Sequence, residues 1–302
     1  MDLLIQQLLN GLTIGAFYAV VALGYTMVYG VLKLINFAHG DLFMWGTLIG
    51  YWLLTALLTT LAGLDLIAVL IVSVITMGAI GVFGVIIERT AYRPLRTAGR
   101  LSPVISALGA AFVLESLARN FTGASYEVYP PVLTGLPSLT LRGNLQISGL
   151  QIIVFLASVL LMVALYLFVQ RTRLGTAMRA VSISHDISRL MGINVDRVVS
   201  LVFLIGPALG AAAGIMVGVY YGSFDFSLGW VFGLKAFIAA ILGGIGNIPG
   251  AMLGGFILGL VEALGAGYVS ASWKDAIAYL LLVIILIVRP TGILGETQAE
   301  KV

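Results

Sequence analysis

The chain contains no cysteine and very little charge: 13 acidic and 16 basic residues among 302, or 10% charged. Without cysteine there can be no disulfide and no thiolate metal site. A soluble chain carries about 25% charged residues, and no core, however large, removes them from the surface. A soluble fold is therefore excluded. Histidine is almost as scarce. His39 and His185 lie in loops far apart, and neither an H-E-x-x-H nor a G-x-S-x-G pattern occurs, which leaves a membrane-embedded enzyme without a converging catalytic set. None of the four lysines, at positions 33, 235, 274 and 301, follows glycine. There is then no G-x-x-x-x-G-K phosphate loop with which the chain could hydrolyse ATP itself. No cofactor is called for. The net charge of +3 comes from residues in loops rather than from a basic face, so no nucleic-acid partner is expected.

What the chain has is apolar sequence: 60% hydrophobic residues and a mean hydropathy of +1.10. A membrane-spanning helix needs about 20 mainly apolar residues. Such runs fall at 8 to 30, 42 to 60, 66 to 88, 103 to 119, 150 to 169, 198 to 220 and 276 to 288. The first follows Asp2 without a basic region or a cleavage site and is expected to be retained. The stretch 231 to 268 differs, because Gly243-Gly244-Ile245-Gly246-Asn247-Ile248-Pro249-Gly250 cuts it into a first arm too short to span and a second long enough to. The expectation is one membrane domain over residues 1–302, all-α and polytopic, with about eight transmembrane helices and a broken, re-entrant segment. The extramembrane loops at about 120 to 149 and 170 to 197 are too short for a further domain.

Charge orients the helices. Arg89, Arg93, Arg96 and Arg100 mark one loop, Arg171, Arg173, Arg179, Arg189 and Arg197 another, and Arg289 follows the last helix. All three regions should be cytoplasmic. The opposite loops hold Tyr126, Tyr129, Tyr220, Tyr221, Trp230 and Trp273, which suit anchors at the outer interface. Lys33 places the N-terminus outside. By parity, the stretch between Tyr220 and the last helix must enter and return, as a hairpin would. The loop at 120 to 149, with Pro and Gly between β-prone runs, predicts a small hairpin lid.

Two interruptions carry polar residues. In "KLINFAHGDLFMWG" a helix arriving from Leu12 should stop near Lys33 and another start near Leu42, with Asp41 capping or preceding it and Gly40 supplying backbone freedom. Asn36 and His39 then need partners: each other, freed backbone groups, or a neighbouring subunit across a shared path. "NFAHGDLFMWGTLIGYWL" and "GNIPGAMLGGFILGLVEAL" each place Asn and Gly before a Gly-spaced helix, and broken segments at matching positions point to a transport pathway. An ion-coupled mechanism has less support. Asp41 and Glu262 lie near helix ends or breaks, and Glu115 is spaced to pair with Arg119 one turn on. The loop 173 to 198 spaces Met178, Val181, Ile187, Leu190 and Met191 as one or two short amphipathic helices, ending at Gly192, that would dock a partner protein or anchor on anionic lipid.

Five segments, "YGVLKLINFAHGDLFMWGTLIGYWL", "ERTAYRPLR", "RAVSISHDISRLMGIN", "GLKAFIAAILGGIGNIPGAMLGGFILGLVEAL" and "RPTGILGE", together resemble the permease subunits of branched-chain amino acid ABC transporters, the LivH type. The resemblance spans nearly the whole chain. It implies the type II importer architecture in the bacterial cytoplasmic (inner) membrane. Its partners would be a second homologous permease, two cytoplasmic ATP-binding subunits, an extracytoplasmic substrate-binding protein and membrane lipid. It also implies a coupling role for Gly175, Arg179, Ala180, Gly192 and Ile193, with Ser188 standing where the pattern has Ala. The pathway or gate is then expected at Asn36, His39, Gly40 and Asp41 and at the hairpin turn, Asn247, Pro249 and Gly250. Branched-chain or other neutral amino acids are the implied cargo; a urea or short-amide importer and an ion-coupled secondary transporter are the alternatives.

Overall fold

The computed structural model describes residues 2–59, 63–96, 98–99, 101–140 and 145–295. Arg100, expected in a cytoplasmic loop, lies outside the described residues. Eleven α-helices are present among them: α1 (Asp2–Leu32), α2 (His39–Leu58), α3 (Asp65–Ile87), α4 (Ser102–Thr122), α5 (Gly149–Arg171), α6 (Arg173–Ile183), α7 (His185–Leu190), α8 (Val195–Tyr221), α9 (Leu228–Gly243), α10 (Ile248–Tyr268) and α11 (Lys274–Val288). A π-helical turn, Glu88–Tyr92, prolongs α3, and a 3₁₀ turn, Ala271–Trp273, precedes α11. Eight helical segments are long and apolar enough to cross a membrane, and α9 is the shorter ninth.

α1 is apolar on every side and is enclosed almost throughout from Gly11 to Leu32, as a helix at the centre of a bundle must be. Small residues let its neighbours approach. A Cβ on Gly15 would lie 2.8 Å from the Phe256 Cα, and one on Gly11 2.8 Å from the Leu260 Cα, so α1 and α10 meet nearly backbone to backbone. α8 brings Gly206 against Gly24 of α1 and Gly210 against His39 and Phe43 of α2. The outer helices α3, α4 and α11 bury little and expose residues such as Leu70, Val74, Phe112 and Ile287, which suits contact with lipid.

The ends of the helices sort by charge. The end of α1, the π turn, α6, α7, 244–247 and 289–295 gather at one end with nine arginines, which the positive-inside rule makes cytoplasmic. At the other end β1 (Glu127–Val128) pairs antiparallel with β4 (Ser223–Phe224), and β2 (Leu139–Thr140) with β3 (Gln146–Ile147). The second pair is the hairpin expected of the long outer loop. Tyr129 is a correction to the anchor reading: it is buried, and its hydroxyl donates to the Thr47 carbonyl at 3.3 Å. Tyr126, Trp230 and Trp273 are exposed, as interface anchors are. The expected Glu115–Arg119 ion pair does not form among the described residues; Arg119 instead lies over the Phe226 ring, 5.4 Å from its centroid.

Candidate functional site

α1 stops at Leu32 because Lys33 adopts a positive φ of 55°, and the chain then folds back along the helix it has just left. The His39 Nε2 reaches the Val21 carbonyl at 3.1 Å, and the imidazole stands edge-on to Tyr25 at 4.7 Å. Val21 is eleven residues before Leu32, which is about 16 Å of helix. The start of α2 is therefore inside the bundle and not at the membrane boundary. It also comes earlier than expected, at His39 rather than Leu42. Asp41 neither caps nor precedes the helix: Ala38 is the N-cap, without a side-chain bond, and Asp41 sits in the first turn, where its charge faces the positive end of α2. Gly40 is required by packing. A Cβ there would lie 2.9 Å from the Gly233 Cα, so the first turns of α2 and α9 cross at almost bare backbone.

The polar side chains of this turn find partners within the chain. Asn36, 1% exposed, accepts through Oδ1 from the Tyr92 hydroxyl at 2.8 Å. Its Nδ2 and the His39 Nδ1 have no partner among the described residues. Tyr92 ends the π-helical turn that begins with Glu88, and Glu88 is wholly buried. The Glu88 carboxylate takes hydrogen bonds from Arg93 at 3.1 Å, from Ser200 of α8 at 2.8 Å and from Arg96. Arg96 also reaches Asp196 in the first turn of α8 at 2.8 Å. One set of contacts thus runs from the start of α8 through Glu88 to Tyr92 and Asn36. The sequence showed "ERTAYRPLR" as a motif but gave no sign of this arrangement, since Glu88 and Ser200 are 112 positions apart.

The expected coupling residues divide by what they touch. Gly175 and Arg179 fix the corner between α5 and α6: Thr172 caps α6 by accepting from the Gly175 amide at 3.0 Å, and Arg179 donates to the Val169 carbonyl. Gly192 has φ 81° and turns the chain toward α8, while the Ile193 amide donates to the Ser188 carbonyl at 2.9 Å. Ala180 is half-buried. Of the amphipathic set, Met178 and Val181 pack inward, whereas Ile187, Leu190 and Met191 form an exposed apolar surface with Ile183. His185 ties this segment to α1, its Nε2 lying 3.0 Å from the Val31 carbonyl.

The hairpin turn lies at the cytoplasmic end. Asn247 caps α10 by accepting from the Gly250 amide at 2.9 Å and donates through Nδ2 to the Leu294 carbonyl at 2.9 Å. The amides of Ile293 and Leu294 donate to the carbonyls of Leu242 and Gly243, both at 2.9 Å. Pro249 is exposed in the first turn of α10, and Gly250 faces the Gly243 backbone. The two sequence segments that looked alike do differ here: Asn247 is an N-cap, and Asn36 is not. Asn247→Ala should destabilise the purified protein by about 1 kcal/mol, read as a lower thermal midpoint; an unchanged midpoint would deny the cap its role.

Between the hairpin arms lies a cluster the sequence reading missed. Lys235 of α9 pairs with Glu262 of α10 at 2.7 Å, each at most 5% exposed. Tyr18 of α1 donates to the second Glu262 oxygen at 2.7 Å, and Asp275 of α11 approaches the same ammonium at 2.7 Å. Four helices are joined at this one pair.

Among known families, that described as branched-chain amino acid transport system / permease component matches residues 7–286. The chain is 43% identical to the high-affinity branched-chain amino acid transport system permease protein BraD of Pseudomonas aeruginosa, over 99% of this chain and 98% of that one. It is 41% identical to the corresponding permease LivH of Escherichia coli K12, over 99% and 97% of the two chains. A more distant relative, the probable branched-chain amino acid transport permease LivH of Methanocaldococcus jannaschii, is 25% identical over 91% of this chain.

Proposed function

The chain belongs to the permease-component family of branched-chain amino acid transport systems, and from that premise we propose that it forms one half of an importer's translocation path for branched-chain amino acids. It is a multi-pass membrane protein and the permease component, not the ATPase. Its partners on this reading are a second homologous permease, two ATP-binding subunits on the cytoplasmic face and a substrate-binding protein outside. The near full-length identity to the high-affinity permeases supports branched-chain cargo over urea or short amides.

The observation that carries the mechanism is the pair of links between the coupling segment and the buried turn of α2. One runs from Asp196 and Ser200 through Glu88 to Tyr92 and Asn36; the other joins His185 to the end of α1. A push on α7 by an ATP-binding subunit would be delivered to both ends of residues 33–38. Asn36, His39, Gly40 and Asp41 act in this proposal by holding the start of α2 and not by lining the path, because the Asn36, His39 and Asp41 side chains are enclosed within the subunit and Gly40 packs on the α9 backbone. Asn247, Pro249 and Gly250 hold the hairpin tip in the same way. Gly175, Arg179, Ala180, Gly192 and Ile193 shape the coupling segment, and Ile183, Ile187, Leu190 and Met191 present the surface a partner would cover.

Leu190 offers the direct test, being 87% exposed with no structural bond to lose. Leu190→Glu should leave the permease folded and abolish stimulation of ATP hydrolysis by the binding protein in the assembled complex. Stimulation at the wild-type level would dismiss docking through α7. A bulky residue at Gly192 is a poorer probe, since its φ of 81° penalises any side chain.

A further inference from the structure

At the cytoplasmic foot of α3, where the π turn meets the start of α8, lies a cleft of about 350 Å³ lined by Arg89, Arg93, Asn194, Asp196, Arg197 and Ser200. We propose that this cleft binds the phosphate of an anionic phospholipid headgroup from the cytoplasmic leaflet.

Charge makes the first argument. Arg89 and Arg197 are exposed, and among the described residues neither has a carboxylate within ion-pair range. Arg93 is held in place by Glu88 and Ser200 yet remains 36% exposed, so part of its guanidinium faces the cleft already oriented. Asp196, which also lines the cleft, gives its Oδ1 to Arg96. With four guanidinium groups against two carboxylates, the cluster keeps an excess of two positive charges. The first turn of α8, a helix of 27 residues, opens onto the same space and adds the partial positive charge of its N-terminus. Guanidinium groups grip phosphate oxygens through paired N–H donors, a geometry that ammonium groups lack.

Position makes the second argument and selects a lipid over a soluble anion. Val82 and Ile86 of α3 are 55% and 49% exposed, apolar, and one turn apart. Arg89 follows on the same stripe where the apolar surface ends. An acyl chain lying along Val82 and Ile86 would deliver its phosphate to the arginines, at the depth where arginine side chains meet headgroups. The exposed apolar surface expected to face the ATP-binding subunits belongs to α6 and α7, so the cleft and that surface are carried by different residues.

The test uses the full-length permease in detergent, analysed by native mass spectrometry with phosphatidylglycerol, with phosphatidylcholine of the same acyl chains, and with inorganic phosphate. Wild-type protein should retain one phosphatidylglycerol in preference to phosphatidylcholine. The double variant Arg89→Ala, Arg197→Ala should bind it about 30-fold more weakly. Removing two exposed arginines elsewhere, with Arg171→Ala and Arg173→Ala, should leave retention unchanged. Neither target arginine makes a side-chain bond to the rest of the described structure, so the double variant should keep the wild-type thermal midpoint. Three results would overturn the proposal: retention unaffected by the double variant with the assembled complex intact, inorganic phosphate displacing the lipid at millimolar concentration, or retention unaffected with loss of the ATP-binding subunits from the assembled complex. The second would make the cleft a soluble-anion site, and the third a protein interface.

Discussion

Lys235→Ala is expected to prevent stable folding of the permease in the membrane. The substitution leaves the Glu262 carboxylate enclosed among α1, α9 and α10 with only the Tyr18 hydroxyl to satisfy it. Breaking a buried ion pair from one side costs about 3–5 kcal/mol, because the remaining charge stays desolvated without its partner. That is a large part of the whole stability of a typical domain. The double variant Lys235→Met, Glu262→Gln removes both charges, and the Gln can still accept from Tyr18. It should restore most of the loss, as neutral replacements of buried pairs commonly do. Fluorescence-detected size-exclusion chromatography and thermal midpoints would read both outcomes. If Lys235→Ala were as stable as wild type, the pair would have to lie in water, and its role in joining four helices would be withdrawn.

Glu88→Ala should have the next largest effect, on coupling as well as stability. Arg96, only 16% exposed, would lose its buried counter-ion, and Arg93 and Ser200 would lose their common acceptor. The expected cost is again about 3 kcal/mol. The consequence for function follows from the π turn. Glu88 fixes the base of the segment that brings the Tyr92 hydroxyl to Asn36, so the start of α2 would be released from the motion of α8. In the assembled importer, ATP hydrolysis should then continue at a raised level without binding protein. Ser200→Ala removes one bond of the same cluster and should cost about 1 kcal/mol without uncoupling. Binding-protein dependence of ATP hydrolysis, measured in reconstituted complexes, separates the two. A Glu88→Ala variant that kept wild-type dependence would sink the proposed link between Glu88 and the turn.

Some of this could be read from the chain before any coordinates. The long apolar runs predicted the spanning helices because a membrane imposes length and hydrophobicity together, and both are local properties. The break at Gly243–Gly250 was visible for the same reason, since glycine and proline mark interruptions wherever they cluster. Met178 and Leu190 show where such reasoning stops. Both fit one helical spacing, yet Met178 is buried and Leu190 is 87% exposed, because α6 and α7 are separate helices meeting at Ser184. The turn at Asn36 shows it again. Its polar residues announced that partners were needed, but Tyr92 lies 56 positions away and Val21 belongs to the helix just completed.

Hydropathy and motif order, both written along the chain, were enough to establish a helical membrane protein of about eight spans and the family to which it belongs. It took the packed helices to show that the start of α2 lies inside the bundle, that Lys235 meets Glu262, and that Glu88 joins the base of α8 to Asn36. Those facts depend on which helix faces are brought together. In a membrane that choice is made by close approach of small residues and by the need of each buried polar group for a partner. Both are properties of pairs of surfaces, and a single stretch of sequence contains only one member of each pair.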